Sequence, residues 1–325
     1  MKKRRIGNTA LEVAPLAFGC NVFGWTADEA MSFKLLDAFV DAGLDLIDTA
    51  DVYPVWHPGN VGGESEAIIG NWLKKSKKRE KVTVATKVGM KMAPGLGCES
   101  LSKDYIMKSV EDSLKRLQID TIDLYQAHND DPNTPLEETM EAFDQLIKQG
   151  KVRAIGASNY KRDRLEKALA VSKQHGFARY ECLQPEYNLY DREDYENNLE
   201  KLCTDENLGV ISYFSMARGF LSGKYKSKAD LDQSPRGKGV EKYMNDRGFK
   251  IVEALHTVAA EYNSAPAQVS LAWLIARPSI TAPIASASKM EQMPDLIKAA
   301  QLELKPEAVE LLNKASAYET AGTKA

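Results

Sequence analysis

Four polar residues in the first half of the chain have types and positions suited to acid–base chemistry. Asp48 and Tyr53 flank the short stretch Thr-Ala-Asp-Val, while Lys87 and His128 each close an apolar run. A free phenol has a pKa of about 10, and a neighbouring ammonium pulls that value down. Tyr53 beside Lys87 is therefore predicted to donate a proton. Asp48 would hold the lysine charged, and neutral His128 would hydrogen-bond the atom that receives the proton.

The same residues have other interpretations. A lysine paired with an aspartate is often only a structural ion pair, and Tyr53 alone would be an ordinary loop aromatic. His128 could mark a solvated strand exit, or a metal site with Asp48 and Asp51. Lys87 could be the nucleophile of a Schiff-base aldolase, but an adjacent carboxylate would keep it protonated and unreactive.

This chemistry requires a scaffold that gathers strand ends, and the sequence predicts one. Short apolar runs alternate with longer stretches of helical period, the pattern of parallel strands joined by helices. The eight strand-like runs are 15–19, 44–49, 82–88, 122–128, 152–158, 180–184, 210–215 and 280–286. We predict that residues 1–325 form a single domain, an α/β fold of the (β/α)8 TIM-barrel type, with its chemistry at the carboxyl ends of the strands. A doubly wound sheet is the alternative, but no G-x-G-x-x-G follows the first strand.

Helix start and stop signals support this division. Thr26-Ala-Asp-Glu29 is predicted to form a capping box for a helix that ends at Gly43, and Thr134-Pro-Leu-Glu137 one for a helix that ends at Gly150. Seven further helices are predicted at 65–74, 102–117, 161–175, 191–206, 246–262, 267–276 and 289–300. An extra helix at 306–315 follows the eighth strand, and a long loop at 216–245 follows the seventh.

Composition excludes several classes of protein. The chain has 43 Lys+Arg against 46 Asp+Glu and a net charge of -3, so no global field favours a nucleic-acid backbone or an acidic membrane. No apolar run is long enough for an export signal or a membrane span. The four cysteines form no C-x-x-C pair, which favours a reducing cytoplasm, and the four histidines are too scattered for structural zinc. No metal is therefore expected, and oligomeric state is not readable from the sequence.

The four residues and their surroundings resemble the catalytic tetrad and signature of the aldo-keto reductases. The resemblance extends over nearly the whole chain and is greatest for the bacterial branch related to the β subunits of voltage-gated potassium channels. Its further motifs are Gly62-Gly-Glu-Ser-Glu66, Ile155-Gly-Ala-Ser-Asn159, Gln184-Pro-Glu-Tyr-Asn188 and Arg218-Gly-Phe-Leu-Ser-Gly-Lys-Tyr225. The resemblance implies reversible reduction of small aldehydes or ketones to alcohols with NADP(H) preferred and NAD(H) possible. A cofactor-sensing binding module, as in channel β subunits, is the alternative.

The resemblance also implies where a nicotinamide cofactor would bind. Ser158, Asn159 and Gln184 would hold its carboxamide, with Tyr213 stacked beneath the ring. The pyrophosphate and nucleotide would contact Phe214, Ser215, Met216, Ala217, Arg218, Gly219, Lys224, Arg236, Ser286, Ser288 and Gln292. Trp25, Val55, Trp56 and Phe220 would form a substrate pocket suited to an aliphatic or aromatic aldehyde. The chain departs from the family where it has Ala285-Ser286 and Asp295-Leu296, which affects the phosphate and adenine contacts.

Overall fold

Eight parallel strands form a barrel in the computed structural model, which describes residues 1–93, 100–233 and 237–318. The barrel strands, in chain order, are β3 Ala17–Gly19, β4 Leu46–Asp48, β5 Thr83–Val88, β6 Ile122–Ala127, β7 Val152–Ser158, β8 Tyr180–Gln184, β9 Gly209–Val210 and β10 Ile284–Ala285. Each pairs in parallel with its neighbour in sequence, and β10 pairs with β3. The Ile284 N–H donates to the Ser212 carbonyl at 2.7 Å and the Thr281 N–H to the Val210 carbonyl at 2.8 Å, so the β9 and β10 segments also join. The predicted (β/α)8 fold is confirmed.

A two-stranded antiparallel hairpin, β1 Arg4–Arg5 and β2 Glu12–Val13, covers the amino end of the barrel. Its buried Ile6, Leu11 and Val13 pack against the small and aliphatic side chains inside the barrel. At the hairpin turn Gly7 has φ +55°, and an added Cβ would lie 2.4 Å from the Glu181 carbonyl oxygen. Only glycine fits this close approach of the hairpin turn to Glu181 of β8.

The helices lie outside the barrel and close to their predicted positions. Their bounds are α1 Glu29–Asp41, α2 Glu64–Ser76, α3 Lys103–Leu117, α4 Leu136–Lys148, α5 Arg162–His175, α6 Glu200–Asp205, α7 Asp246–Glu261, α8 Pro266–Ala276, α9 Met293–Gln301 and α10 Pro306–Ala315. The predicted 191–206 helix contains a π-helical turn, Tyr195–Leu199, before α6. No helix in the described ranges is both long and apolar enough to cross a bilayer.

Both predicted capping boxes are wrong in detail. Asp28, not Thr26, caps α1, and its carboxylate accepts from the Met31 N–H at 2.8 Å. Thr134 donates its hydroxyl to Asp131 at 2.6 Å, and Pro135 instead stands at the cap of α4. In each case another polar group competes for the local hydrogen bond, which the residue spacing alone does not show.

The long segment after β9 contains short helices rather than one open loop. Three 3₁₀ helices, Ala217–Ser222, Lys228–Gln233 and Gly237–Tyr243, precede α7. Lys228 and Glu241 pair at 2.8 Å between two of them, and the Tyr243 hydroxyl donates to Asp191 at 2.8 Å. We call the described residues 214–233 and 237–245 the strap, because residues of this segment border the open end of the barrel.

Candidate active site

An ion pair forms the floor of the open end. Lys87, fully buried at the end of β5, donates to Asp48 Oδ2 at 2.7 Å and to the Thr49 carbonyl at 2.8 Å. Asp48 ends the neighbouring strand and also accepts from Gln184 Nε2 at 2.9 Å. Burial is the largest single influence and lowers the pKa of Lys87, but the charges and hydrogen bonds of Asp48 and Tyr53 together outweigh it, so the pKa lies above its ordinary value. Lys87 is therefore held as an ammonium.

Tyr53 lies directly above this pair. Its hydroxyl is 3.5 Å from Lys87 Nζ, and its ring packs edge-on against Trp56 at 5.4 Å between centroids. Burial raises the pKa of Tyr53 above its ordinary value, while Lys87 opposes the rise. The sequence predicts a lowered pKa for Tyr53, and this prediction is wrong. The direction differs because the phenol is removed from water and Asp48 offsets much of the ammonium's charge. The phenol thus stays protonated through neutral pH.

His128 faces the tyrosine from the next strand exit. The two rings are 5.6 Å apart, and the His128 backbone N–H donates to the Val88 carbonyl at 2.8 Å. Burial, helped by the charge of Lys87, holds the pKa of His128 well below its usual range, so the imidazole is neutral. Its Nδ1 is buried and has no hydrogen-bond partner among the residues described.

These groups open into a cavity of about 640 Å³. The expected residues that line it are Asp48, Tyr53, Val55, Trp56, His128, Ser158, Asn159, Gln184, Tyr213, Phe214, Ser215, Met216, Arg218, Gly219, Lys224, Ser286, Ser288 and Gln292. Lys87, the cation of the floor ion pair, is fully buried and does not itself line the cavity. Ala217 is buried behind the lining, and Trp25 packs edge-on against Trp56 at 5.8 Å without lining the cavity itself. Arg236 lies outside the described residues.

Phe220 does not occupy the substrate pocket expected from the sequence. It is fully buried beneath the strap, where its ring stacks on Tyr243 at 5.8 Å and meets Phe249 edge-on at 5.9 Å. Because the strap folds into short helices, it needs a hydrophobic core of its own, and Phe220 supplies part of it. The Phe220 ring therefore serves the packing of the strap rather than the lining of the cavity.

The residues expected around a carboxamide are already joined to one another. Asn159 accepts from the Tyr213 hydroxyl at 2.7 Å and donates to the His128 carbonyl at 2.9 Å. The Ser158 hydroxyl donates to the Gln184 carbonyl at 2.9 Å, and the Gln184 amide nitrogen is committed to Asp48. This network fixes the orientation of each side chain. It also leaves the Gln184 side-chain oxygen as an acceptor for an incoming N–H.

The strap presents a turn and two cations to the cavity. Phe214, Ala217, Arg218 and Gly219 all have positive φ, between 47° and 99°, and the Arg218 guanidinium stacks on the Phe214 ring at 3.9 Å. Arg218 and exposed Lys224 are cationic lining residues at this end. Successive left-handed residues near cations form a concave backbone suited to an anion. A pyrophosphate therefore fits the residues present.

The region after β10 is partly occupied by its own side chains. The Gln292 amide oxygen accepts from the backbone N–H groups of Ser288 at 2.8 Å and Lys289 at 3.2 Å. The Ser286 hydroxyl donates to Asn21 at 3.0 Å. Asp295 lines the cavity here and accepts from Gln268 at 2.6 Å. An anion at this helix start would have to displace Gln292 or bind through the hydroxyls and Lys289.

Several lining residues were not singled out as site residues from the sequence. They are Asn21 after β3, Met90 and Lys91 after β5, and Asn129 directly after His128. All four follow barrel strands, and this position was the signal that could have revealed them. The metal alternative involving His128, Asp48 and Asp51 gains no support, because the described ranges hold no group of three or more candidate ligands.

The parallel barrel and the buried ion pair at its carboxyl end place the chain among (β/α)8-barrel proteins. The model of the Aldo/keto reductase family matches residues 15–317. The chain belongs to this family, whose enzymes are oxidoreductases that generally use nicotinamide cofactors and act on small carbonyl compounds.

Individual relatives match along nearly their whole length. An uncharacterised oxidoreductase of Bacillus subtilis, YrpG, is 36% identical over 96% of this chain and 95% of its own. An aldo-keto reductase of Schizosaccharomyces pombe whose name specifies NADP(+) is 31% identical over 96% of this chain and 90% of its own. A rice protein named a probable voltage-gated potassium channel subunit beta is 30% identical over 95% of both chains. The relatives thus include reductases and a channel-subunit homologue.

Proposed function

We propose that this protein catalyses the NADPH-dependent reduction of aldehydes or ketones to alcohols, and the reverse oxidation, with Tyr53 as the general acid. The observation that carries the proposal is the Tyr53 hydroxyl, 3.5 Å from the buried Lys87 ammonium at the floor of an open cavity. A protonated phenol beside a fixed ammonium can release its proton and have the resulting phenolate stabilised in place.

His128, Tyr53 and Lys87 have distinct roles in the proposed reaction. The neutral His128 imidazole would hydrogen-bond the substrate oxygen and orient the carbonyl toward Tyr53. Tyr53 would give its proton to that oxygen as the carbonyl π bond is lost, and Lys87, held by Asp48, would stabilise the phenolate until it regains a proton from solvent. When bound, reduced nicotinamide supplies the hydride that the carbonyl carbon requires.

The cofactor would be held by the groups already described. Gln184, Ser158 and Asn159 would bind the carboxamide above Tyr213, and Arg218 and Lys224 of the strap would neutralise the pyrophosphate. A preference for NADPH would come from Ser286, Ser288, Gln292 and Lys289 at the start of α9, where hydroxyls and a cation suit a 2′-phosphate. The NADP(+) in the fission-yeast relative's name is in line with this preference.

The aldolase alternative is weakened by the structure. A Schiff base requires a free amine, whereas Asp48 holds the pKa of Lys87 above its ordinary value. Borohydride should therefore trap no covalent adduct between the chain and a carbonyl compound. A binding module, the remaining alternative, would bind cofactor without steady turnover.

The test is a panel of aldehydes and ketones assayed by loss of reduced-nicotinamide absorbance with NADPH and with NADH. We expect multiple turnovers with simple aromatic and aliphatic aldehydes. Cofactor binding without turnover on any member of the panel would reject the proposal in favour of the binding module. Consumption of the aldehyde that continues without either cofactor, as measured by chromatography, would reject it in favour of another chemistry.

A further inference from the structure

The substrate end of the cavity carries a cation that the proposed reduction does not use. Lys91 lines the cavity beside Met90, and Asn129 lines it from the adjacent strand exit. The two positions are close in the barrel because Val88 pairs with Ala127 and the His128 N–H donates to the Val88 carbonyl. Lys91 therefore lies at the side of the cavity where Tyr53 and His128 meet a carbonyl group.

Lys91 and Asn129 have no partners within the described chain. No hydrogen bond or ion pair joins either side chain to another described residue, although charged residues elsewhere on the surface are often paired. The segment that carries Lys91 is nonetheless fixed. The Ala93 N–H donates to the Val61 carbonyl at 3.1 Å, and Met92 packs against Gly62, where an added Cβ would lie 2.7 Å from the methionine methyl group.

The other charges around the cavity are committed elsewhere. Asp48 is neutralised by Lys87, and Asp295, near the start of α9, accepts from Gln268. Arg218 and Lys224 belong to the strap and would serve the cofactor's phosphates. Among described lining residues, no carboxylate competes for Lys91 at the substrate end. An ammonium and an amide without partners form a donor pair suited to a carboxylate.

The wall beside this pair is aromatic. Trp56 is 45% exposed and packs edge-on against Tyr53, with Trp25 behind it. Such a wall favours an apolar or aromatic body, whereas Lys91 and Asn129 favour an anionic end. We infer that the preferred substrates are aromatic or apolar aldehydes or ketones bearing a carboxylate remote from the carbonyl, with Lys91 and Asn129 binding that carboxylate. This inference rests on the proposed function.

The test compares 3- and 4-formylbenzoate with their neutral methyl esters, which keep the aldehyde and the ring. We expect kcat/KM to favour at least one formylbenzoate isomer over its ester by about tenfold or more at low salt, as for one charge-assisted contact. Lys91→Met should remove most of this preference by raising KM for the anion while kcat changes little. Asn129→Leu should remove a smaller part, and Lys91→Arg should retain most of it.

Controls separate the local cation from general charge effects. Lys108 is exposed on α3 and outside the cavity, so Lys108→Met should keep the full preference. Binding can be measured independently of turnover by the quenching of tryptophan fluorescence. The ligands are 3- and 4-carboxybenzyl alcohol, and their methyl esters serve as references. Tighter binding of the anions that is lost in Lys91→Met would support the inference even in the absence of catalysis.

The two hypotheses fail in different ways. Efficient reduction of all four aldehydes with equal kcat/KM for acid and ester would overturn the carboxylate site and leave the proposed function standing. No turnover of any aldehyde with either cofactor would reject the reductase. A preference for the acids that is equally reduced in Lys91→Met and Lys108→Met would also overturn the site, since it would reflect only net charge.

Discussion

The floor and the rim of the cavity are built in opposite ways. At the floor, Lys87 and Asp48 end barrel strands, are buried and satisfy each other with hydrogen bonds of 2.7 to 2.9 Å that include Gln184. At the rim, Lys224 and Lys289 are exposed and belong to loops, and Arg218 is held in a left-handed backbone conformation. Buried, rigid charges tune the pKa of a reacting group, whereas exposed loop charges supply affinity for an incoming ligand. Changes at the floor should therefore alter rate, stability and pH dependence, and changes at the rim should alter cofactor choice.

The largest effect is expected for Tyr53→Phe. The phenylalanine ring keeps the edge-on contacts with Trp56 and His128 and removes only the proton donor. Carbonyl turnover should fall by roughly 10² to 10⁴, equivalent to about 3 to 5 kcal/mol, with cofactor affinity nearly unchanged. Steady-state kinetics with fluorescence titration of NADPH measures both. Tyr262→Phe, outside the cavity, is the control, and full activity in the Tyr53 variant would remove the tyrosine from the mechanism.

The second prediction concerns Lys87→Met, which preserves side-chain length but leaves Asp48 without its counterion. Because Gln184 still donates to Asp48, we expect a loss of about 3 kcal/mol in the free energy of unfolding, the lower end for breaking a buried pair. The lysine also opposes the rise in the Tyr53 pKa, so its removal should raise that pKa further. Oxidation of an alcohol needs Tyr53 as a phenolate, so its rate rises with pH as Tyr53 loses its proton. In the Lys87→Met variant this rise should occur at higher pH.

A matched substitution distinguishes the floor from an ordinary ion pair. Lys201 pairs with Asp205 at 2.6 Å on the surface of α6, with side chains that are 76% and 55% exposed. Lys201→Met should cost only about 0 to 1 kcal/mol and leave the pH profile unchanged. Equal losses of stability in the Lys87 and Lys201 variants, with intact activity in both, would mean that Lys87 is merely structural.

The third prediction tests the rim. NADPH should be used at least tenfold more efficiently than NADH, since one charge-assisted contact to a phosphate is worth about 1.5 to 3 kcal/mol. Lys289→Ala should reduce this ratio without changing stability or the pH profile. The measurement is kcat/KM for both cofactors in both proteins. Equal efficiencies in the unmodified chain would show that this helix start does not select the phosphate.

The smallest predicted effect concerns His128 and the pH dependence of stability. Burial holds the pKa of His128 below its ordinary value of about 6.5. Below pH 6.5 the unfolded chain binds a proton that the folded chain resists, so stability should fall with decreasing pH, by at most about 1.4 kcal/mol per unit for this residue. Urea denaturation at pH 7 and pH 5.5 measures the difference. His128→Asn should reduce the pH dependence of the free energy of unfolding, and His175→Asn, at an exposed position, should not. The same pH dependence in the His128 variant and the unmodified chain would contradict the lowered pKa of His128.

The position of each element could be predicted from sequence because its signals are local. Short apolar runs ending in Asp48, Lys87 and His128 marked strand exits, and helices such as α10 lie where their start and stop residues indicate. Resemblance to a family then supplied roles that no single motif could. The lengths of the last two strands were not predicted. The predicted strands at 210–215 and 280–286 are reduced to β9 and β10, since the closure of the barrel, rather than the residue pattern, decides where strand pairing ends.

Only the tertiary structure decided the pKa shifts in the site and which side chains line the cavity rather than pack in the core. Gln184 donates to Asp48, 136 residues away along the chain, and Phe220 packs beneath the strap instead of lining the pocket. The Tyr53 pKa rises because burial and Asp48 together outweigh the ammonium that the sequence placed nearby. A sequence shows which charges exist and roughly where strands end. How far each group is removed from water, and which distant group satisfies it, depends on three-dimensional packing, and these two quantities set the pKa and the free contacts of the site.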